Sequence, residues 1–275
     1  LALGAICAGG TLGILIPPSI VTIVYAITAQ VSIGKMFAAG IVPGVILAGS
    51  YSLYILIRTR LNPSLAPIPE AGEPVSLQAK LASLKSLILP ALVIIGVLGS
   101  IYTGIATPSE AAAFGAIGAF IIAVVIFRSL TLRGLMEVLG SSVRVSGAIL
   151  LIMGGARIFG DYLNLMRVPD TLSMLLLGSG LSPELILLLI MLVLVLLGML
   201  IDAVSLIVVT TPIFLPLIVG LGYDPLWFGI VMVMNLEIAV ITPPVGLNLY
   251  TLKAVAPMLK IEEIIRSIVP FVLVQ

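Results

Sequence analysis

The stretch Gly10–Ser19, "GTLGILIPPS", and the stretch Ala239–Asn248, "AVITPPVGLN", each set two consecutive prolines inside an apolar run of membrane-spanning length. Proline has no N–H, so in a continuous helix Pro17 and Pro18 would leave the carbonyls of Gly13 and Ile14 without donors. Pro243 and Pro244 would do the same to Ala239 and Val240, and each ring also pushes the residue before it out of the α region. A helix stops at each pair. Its upstream half ends in free carbonyls at the negative end of the helix dipole, a place for a small cation. The downstream half opens with free N–H groups at a positive end, a place for a carboxylate. Sodium, a hard cation, takes oxygen ligands, and the breaks offer them through Gly13, Ile14, Ala239, Val240 and Thr242, by analogy with calcium sites. Ser19 starts the second half of the first copy. In the second copy Asn248 adds a side-chain oxygen and Gly246 permits close approach.

Composition fixes the solvent. Of 275 residues, 61% are hydrophobic and 9% charged, and the mean hydropathy is +1.33, far outside the range of water-soluble domains. The chain reads as an all-α integral membrane protein, because continuous apolar stretches with no alternating barrel pattern can satisfy their backbone in lipid only as helices. A net charge of +1 argues against nucleic acid as a partner. With no histidine and one cysteine, Cys7, disulfides, zinc sites and histidine-based catalysis are excluded. The sequence begins at Leu1 without methionine and stops at Gln275 inside an apolar run, so a longer polytopic protein is expected, with its N-terminal part missing here.

The expected order is a broken helix from Leu1 to about Gln30, then a span from Ile33 to Ile57 that closes a first unit over residues 1–61. A proline-rich cytoplasmic loop over residues 62–82 follows. Spans at Ser83–Tyr102 and Glu110–Phe127, a short amphipathic piece at Leu130–Leu139 and a span at Ser142–Asp161 open a second unit over residues 83–275. That unit continues with a long apolar stretch, a hairpin at about 183–220 interrupted by Asp202. A second broken helix at about 227–255 and one more span from Ile264 complete it. Arg58, Arg60, Lys80 and Lys85 lie two spans away from Arg128, Arg133 and Arg144, so both groups belong on the cytoplasmic side. By that parity the first broken helix runs outward and the second, which leads to Lys253 and Lys260, runs inward.

Sliding the chain on itself by 226 residues lays Ala5–Ile27 on Val231–Lys253 and brings Pro17-Pro18 onto Pro243-Pro244. One further residue of slip lays "IVPGVIL" from Ile41 on "IVPFVLV" from Ile268. Proline-interrupted apolar segments in corresponding positions, with opposite expected orientation, point to an inverted-repeat secondary transporter.

Other polar residues in apolar surroundings are candidates too. Asp202 lies either in an exposed turn between two full spans or at the tip of a re-entrant hairpin, and it is placed to cap a helix or to line a site. Glu237 and Asn235 map onto Thr11 and Gly9 of the first copy. Glu110 follows "TPS" as a helix-start residue. Arg144 suits an interface anchor, whereas the deeper Arg157 is a candidate partner for a substrate carboxylate.

The motifs "GGTLGILIPPSIVTIVYAI", "SIGKMFAAGIVPGVIL", "GIATPSEAAAFGA", "GMLIDAVSLIVVTTPIFLPL", "GYDPLWFGIVMVMN" and "ITPPVGLNLY" cover nearly the whole chain. Together they make it resemble the large membrane subunit of tripartite ATP-independent periplasmic (TRAP) transporters. The resemblance implies a sodium-coupled importer of organic acids (C4-dicarboxylates, sialic acids, other sugar and keto acids) that works by an elevator motion in a bacterial or archaeal cytoplasmic membrane. It also implies a small membrane subunit and a periplasmic substrate-binding protein as partners, sodium as coupling ion, and no cofactor. It makes "GMLIDAVS" a re-entrant tip. Gly13, Pro17, Pro18, Ser19, Thr242, Pro243, Pro244, Gly246 and Asn248 then form the ion and substrate region, with Asp202 and Ser205 opposite. The alternatives are a carrier of the same superfamily that needs no binding protein and, from another class, an intramembrane aspartyl protease using Asp161 and Asp202. The "IFGD" ending at Asp161 lacks the first glycine of the Gly-x-Gly-Asp pattern such proteases use.

Overall fold

A computed structural model describes residues 1–65 and 76–275, with the side chains of 78–83, 85 and 86 excepted. Residues 66–75 of the proline-rich loop, and the side chains of Lys80 and Lys85, lie outside the described residues, and the end of the expected loop is helical from Leu77.

The described residues are helical, without strands. The helices are α1 (Ala2–Leu15), α2 (Ile20–Thr28), α3 (Ile33–Leu61), α4 (Leu77–Tyr102), α5 (Pro108–Ile121), α6 (Leu132–Leu165), α7 (Val168–Leu177), α8 (Pro183–Gly198), α9 (Ala203–Gly220), α10 (Pro225–Ile241), α11 (Leu247–Val255) and α12 (Ile261–Val274). A π turn over Ile122–Ile126 extends α5. Five segments among the described residues are long and apolar enough to cross a membrane: Ala2–Thr28 taken across its break, α3, Pro108–Ile126, α6 and α9.

Proline sorts these helices. Single internal prolines, Pro43 in α3, Pro90 in α4 and Pro270 in α12, leave their helices continuous, as do Pro212 and Pro216 spaced by four in α9. The adjacent pairs stop α1 at Leu15 and α10 at Ile241. One missing N–H costs a hydrogen bond that the turns on either side can bridge. A second ring immediately after the first removes a second N–H and restricts the first proline as well as the residue before the pair, Ile16 or Thr242, which is extended, so no turn remains to bridge the gap. Both Pro–Pro bonds are cis.

Helix starts carry the expected oxygens. Ser19, Ser32, Ser182, Asp202 and Asp224 each accept a first-turn N–H of the helix they precede. Thr107 and Glu110 form a reciprocal capping box at α5, as the "TPSE" signature predicts. Two expectations change. The piece at 130–139 and the span at 142–161 form one helix, α6, because Gly140 and the following serines cost only about 1 kcal/mol of helix propensity and no proline interrupts them. The short helix α7 follows Arg167, held at φ +54, between the expected span ending at Asp161 and the hairpin from about 183.

The chain divides into two compact units, one of residues 1–66 and 149–275, the other of residues 67–148. In the second unit α4 packs on α5, with Gly115 against Val97 and Gly118 against Val93. In the first unit α1 packs on α3, α10 and α12, and α10 packs on α8, α1, α3 and α2. Small residues bring these backbones close: a Cβ on Gly40 would lie 2.9 Å from the Leu15 carbonyl, and one on Gly44 would lie 2.6 Å from Ile16. The largest buried apolar cluster joins α2, α8, α9 and α10 around Tyr25, Leu194, Ile207 and Phe228. Tyr25 donates its hydroxyl to the Pro225 carbonyl at 2.6 Å, tying α2 to the start of α10.

Candidate functional site at the two helix breaks

At the first break Ile16 is extended (φ −74, ψ 124) and its N–H closes the last turn on Leu12 at 2.8 Å. Pro17 and Pro18 supply no donors to Gly13 and Ile14. The Ile14 carbonyl accepts the Ser19 hydroxyl instead, and the Thr22 hydroxyl lies 3.4 Å from that carbonyl and 3.1 Å from Ser19 Oγ. Ser19 caps α2 by accepting the Thr22 N–H at 3.2 Å. Ser19 and Thr22 are both buried, so three oxygens meet in an enclosed turn where the negative end of α1 faces the positive end of α2. Thr22 is absent from the sequence reading. The signal that points to it is the Ser-x-x-Thr spacing immediately after the break, which puts both hydroxyls on the first turn of α2.

The second break is built differently. Thr242 is extended (φ −102, ψ 134); its N–H returns to the Ala239 carbonyl at 3.1 Å and its hydroxyl donates to Ile238 at 2.5 Å. The Ala239 carbonyl thus already accepts one bond and keeps one lone pair, whereas Pro244, four residues on from Val240, has no N–H to offer the Val240 carbonyl. Gly246 precedes α11 with φ +47 and ψ 73, and no side chain caps that helix. The Asn248 amide nitrogen reaches the Cys7 carbonyl at 3.4 Å, so Asn248 joins α11 to α1.

The breaks are neighbours. Ile14 packs both with the main core cluster and with the cluster containing Val240 and Ile241, so its side chain bridges the end of α1 and the end of α10. The turn between α8 and α9 docks on the second break. The Met199 carbonyl accepts the Val245 N–H at 3.1 Å, and a Cβ on Gly198 would lie 2.7 Å from that of Ala239. Asp202 is exposed and caps α9, its carboxylate accepting the Ser205 N–H at 3.0 Å; Ser205 is half-buried. Among the other expected residues Pro17 is buried, Gly13, Pro18, Pro243 and Pro244 are exposed, and Thr242 is half-buried.

Arg157 lies apart from the breaks. Its Nε donates to Asp161 at 3.2 Å in a cleft of about 450 Å³ that also holds Thr28, Gln30 and Asn164. Asn235 holds α10 to α8 by donating to the Met191 carbonyl at 2.9 Å.

The family model described as "Tripartite ATP-independent periplasmic transporter, DctM component" matches residues 1–275. The chain is 38% identical to the C4-dicarboxylate TRAP transporter large permease protein DctM of Pseudomonas aeruginosa, over 98% of this chain and 62% of that protein. It is 31% identical to the 2,3-diketo-L-gulonate TRAP transporter large permease protein YiaN of Escherichia coli, over 99% and 63%. With the sialic acid TRAP transporter large permease protein SiaM of Vibrio cholerae it shares 30% identity over 97% and 61%. The chain spans about three-fifths of the length of these relatives. They are transport permeases, not enzymes. With helices of spanning length and a family model matched from end to end, this multi-pass membrane chain belongs to the DctM component family of tripartite ATP-independent periplasmic transporters.

Proposed function

We propose that the protein imports an organic acid anion across a bacterial cytoplasmic membrane, coupled to sodium. In this reading a periplasmic binding protein delivers the anion and a small membrane subunit completes the transporter. The observation that carries the reading is the pair of adjacent helix breaks with a helical turn docked on one of them. Such a place, where negative and positive helix ends meet inside a membrane-type core, holds a cation and an anion side by side. Ile14, Ser19 and Thr22 supply oxygens at the first break, and Val240, Ala239 and Thr242 supply them at the second. The start of α11, whose first-turn N–H groups no side chain caps, would take the anion.

An inverted repeat is part of the proposal. α1, α2 and α3 correspond to α10, α11 and α12. The packing is reciprocal: α1 lies on α12 as α10 lies on α3, and α1 lies on α11 as α10 lies on α2. A two-fold relation between the arms produces such exchanged pairs. The elevator motion follows as the way a rigid unit carrying both breaks would alternate access.

The relatives are named for transport of C4-dicarboxylates, isethionate, diketogulonate and sialic acid. The substrate class taken from them is a small organic acid anion with hydrogen-bonding groups. The test is uptake into proteoliposomes holding the full-length permease and small subunit, with binding protein added outside. Uptake is expected to collapse when sodium is replaced by choline. A rate unchanged in choline would sink the coupling, and uptake without binding protein would favour the carrier that needs none.

A further inference from the structure

Glu237 lies in α10 about one turn before the break and is completely enclosed, at 0% exposure. We propose that Glu237 is a proton-binding site, occupied as a neutral carboxylic acid with its proton on Oε1, in the seam where α10 meets α1, α3 and α12. The proposal stands independently of sodium coupling.

The hydrogen bonds around the carboxyl group assign its two oxygens. Gln275 Nε2 donates to Glu237 Oε2 at 3.0 Å and lies 2.9 Å from the Met234 carbonyl. Gln275 Oε1 accepts the Tyr51 hydroxyl at 2.8 Å. A flipped amide would put its oxygen against the Met234 carbonyl, so the nitrogen faces both acceptors and the tyrosine proton is committed to Gln275. Oε2 is therefore an acceptor. Oε1 is buried and has no hydrogen-bond partner among the described residues. Because the side chain is already fully enclosed, no other part of a longer chain is needed to cover it.

An ionised Glu237 would hold its charge against a single neutral donor. Ion pairs among the described residues are Arg133–Glu137 and Arg157–Asp161, and neither touches it. The elements packed on α10 bring no cation to it. α9 has no ionisable residue, and α8 has only Glu184, in its first turn. Cys7 of α1 faces Asn248, and Tyr25 of α2 is bound to Pro225. Lys253 of α11 is spent on the carbonyls of Pro257 and Leu259. On α12, Arg266 and the two acids before it lie about 14 Å or more along the helix from Gln275, and the arginines of α3 are about two turns beyond Tyr51. Lys35 is at the opposite end of α3. Tyr51 is the titratable group that faces Glu237.

A proton on Oε1 abolishes the charge and leaves one neutral O–H unpaired, a much smaller penalty than an enclosed, unpaired carboxylate. Sodium would also neutralise the group, but it needs several oxygen ligands, and the neighbour at Oε2 is an N–H that repels a cation. Thr11, which corresponds to Glu237 in the first arm, is likewise fully buried beside Tyr51 and is neutral, donating to Ala8 at 2.8 Å.

The test is infrared difference spectroscopy of the full-length permease with its small subunit in lipid at neutral pH. The expected result is the carbonyl stretch of a protonated carboxyl group that disappears in Glu237→Gln and is unmoved when sodium is added. Gln275→Leu removes the donor to Oε2 and is expected to shift the same band to higher frequency, which identifies it even if Glu237→Gln does not fold. No such band in the wild type, or a band that vanishes with sodium, overturns the proposal; the second result would make Glu237 a cation ligand.

Discussion

Thr22 stands one turn beyond Ser19, and its hydroxyl reaches the carbonyl that Pro18 leaves without a donor. If that carbonyl and the two hydroxyls ligate sodium, removing one of three oxygens costs about 1 kcal/mol of net binding, a roughly fivefold loss of affinity. Thr22→Val is therefore expected to raise the sodium concentration for half-maximal uptake about fivefold, with Thr22→Ser close to wild type. An unchanged sodium dependence in Thr22→Val would remove this hydroxyl from the site. Gly246 carries a different demand. At φ +47 an alanine pays about 1–2 kcal/mol for the left-handed backbone, and its Cβ would lie 2.6 Å from Leu249 Cδ1. Gly246→Ala is expected to lower the thermal midpoint of the purified protein. Adding Leu249→Ala should relieve the contact but not the backbone, so full rescue would show that crowding alone, not φ, selects glycine here.

At the scale of elements, the hairpin of α8 and α9 meets the second break through two backbones rather than through Asp202. Met199 accepts from Val245, and Gly198 lies against Ala239, a contact with no room for a second methyl group. Gly198→Val is expected to push the turn off the break, at about 1–3 kcal/mol for overpacking, and to reduce transport. Ala239→Gly vacates the space Gly198→Val needs, so transport in the double variant should recover relative to Gly198→Val. Strict additivity of the two losses would mean that the turn does not act through this contact. The two breaks were legible in the sequence because a Pro–Pro pair acts locally, through N–H groups its own residues lack. The capping box at Thr107 and Glu110 was legible for the same reason. α7 was not, because its ten residues are too short to read as a span and the turn before it rests on Arg167 at positive φ, which no glycine announces. Nor was the link from Glu237 through Gln275 to Tyr51, whose partners lie 38 and 224 residues apart; no period or motif connects them.

On the whole molecule, the exposed surface is where a water-soluble protein would carry charge, and here it carries leucine, isoleucine and valine. α3 shows the pattern most plainly. Ile41, Val42, Val45 and Ile46 point outward from its middle, while Arg58 and Arg60 stand in its last turn. Its 29 residues span about 44 Å, more than the roughly 30 Å of a hydrocarbon core, long enough to hold its middle in lipid with the arginines at an interface. Burial within the protein cannot explain why Val45 must be apolar, since it is 64% exposed; the bilayer as solvent can. Val45→Lys should then cost about 3 kcal/mol of membrane insertion. A lysine at Leu61, beside the arginines, can extend its head into water and should cost little. A glycosylation-reporter insertion assay on the α3 segment separates the two positions. Equal insertion of both variants would mean that this face of α3 is not set by lipid, and the outward apolar surface would need another cover.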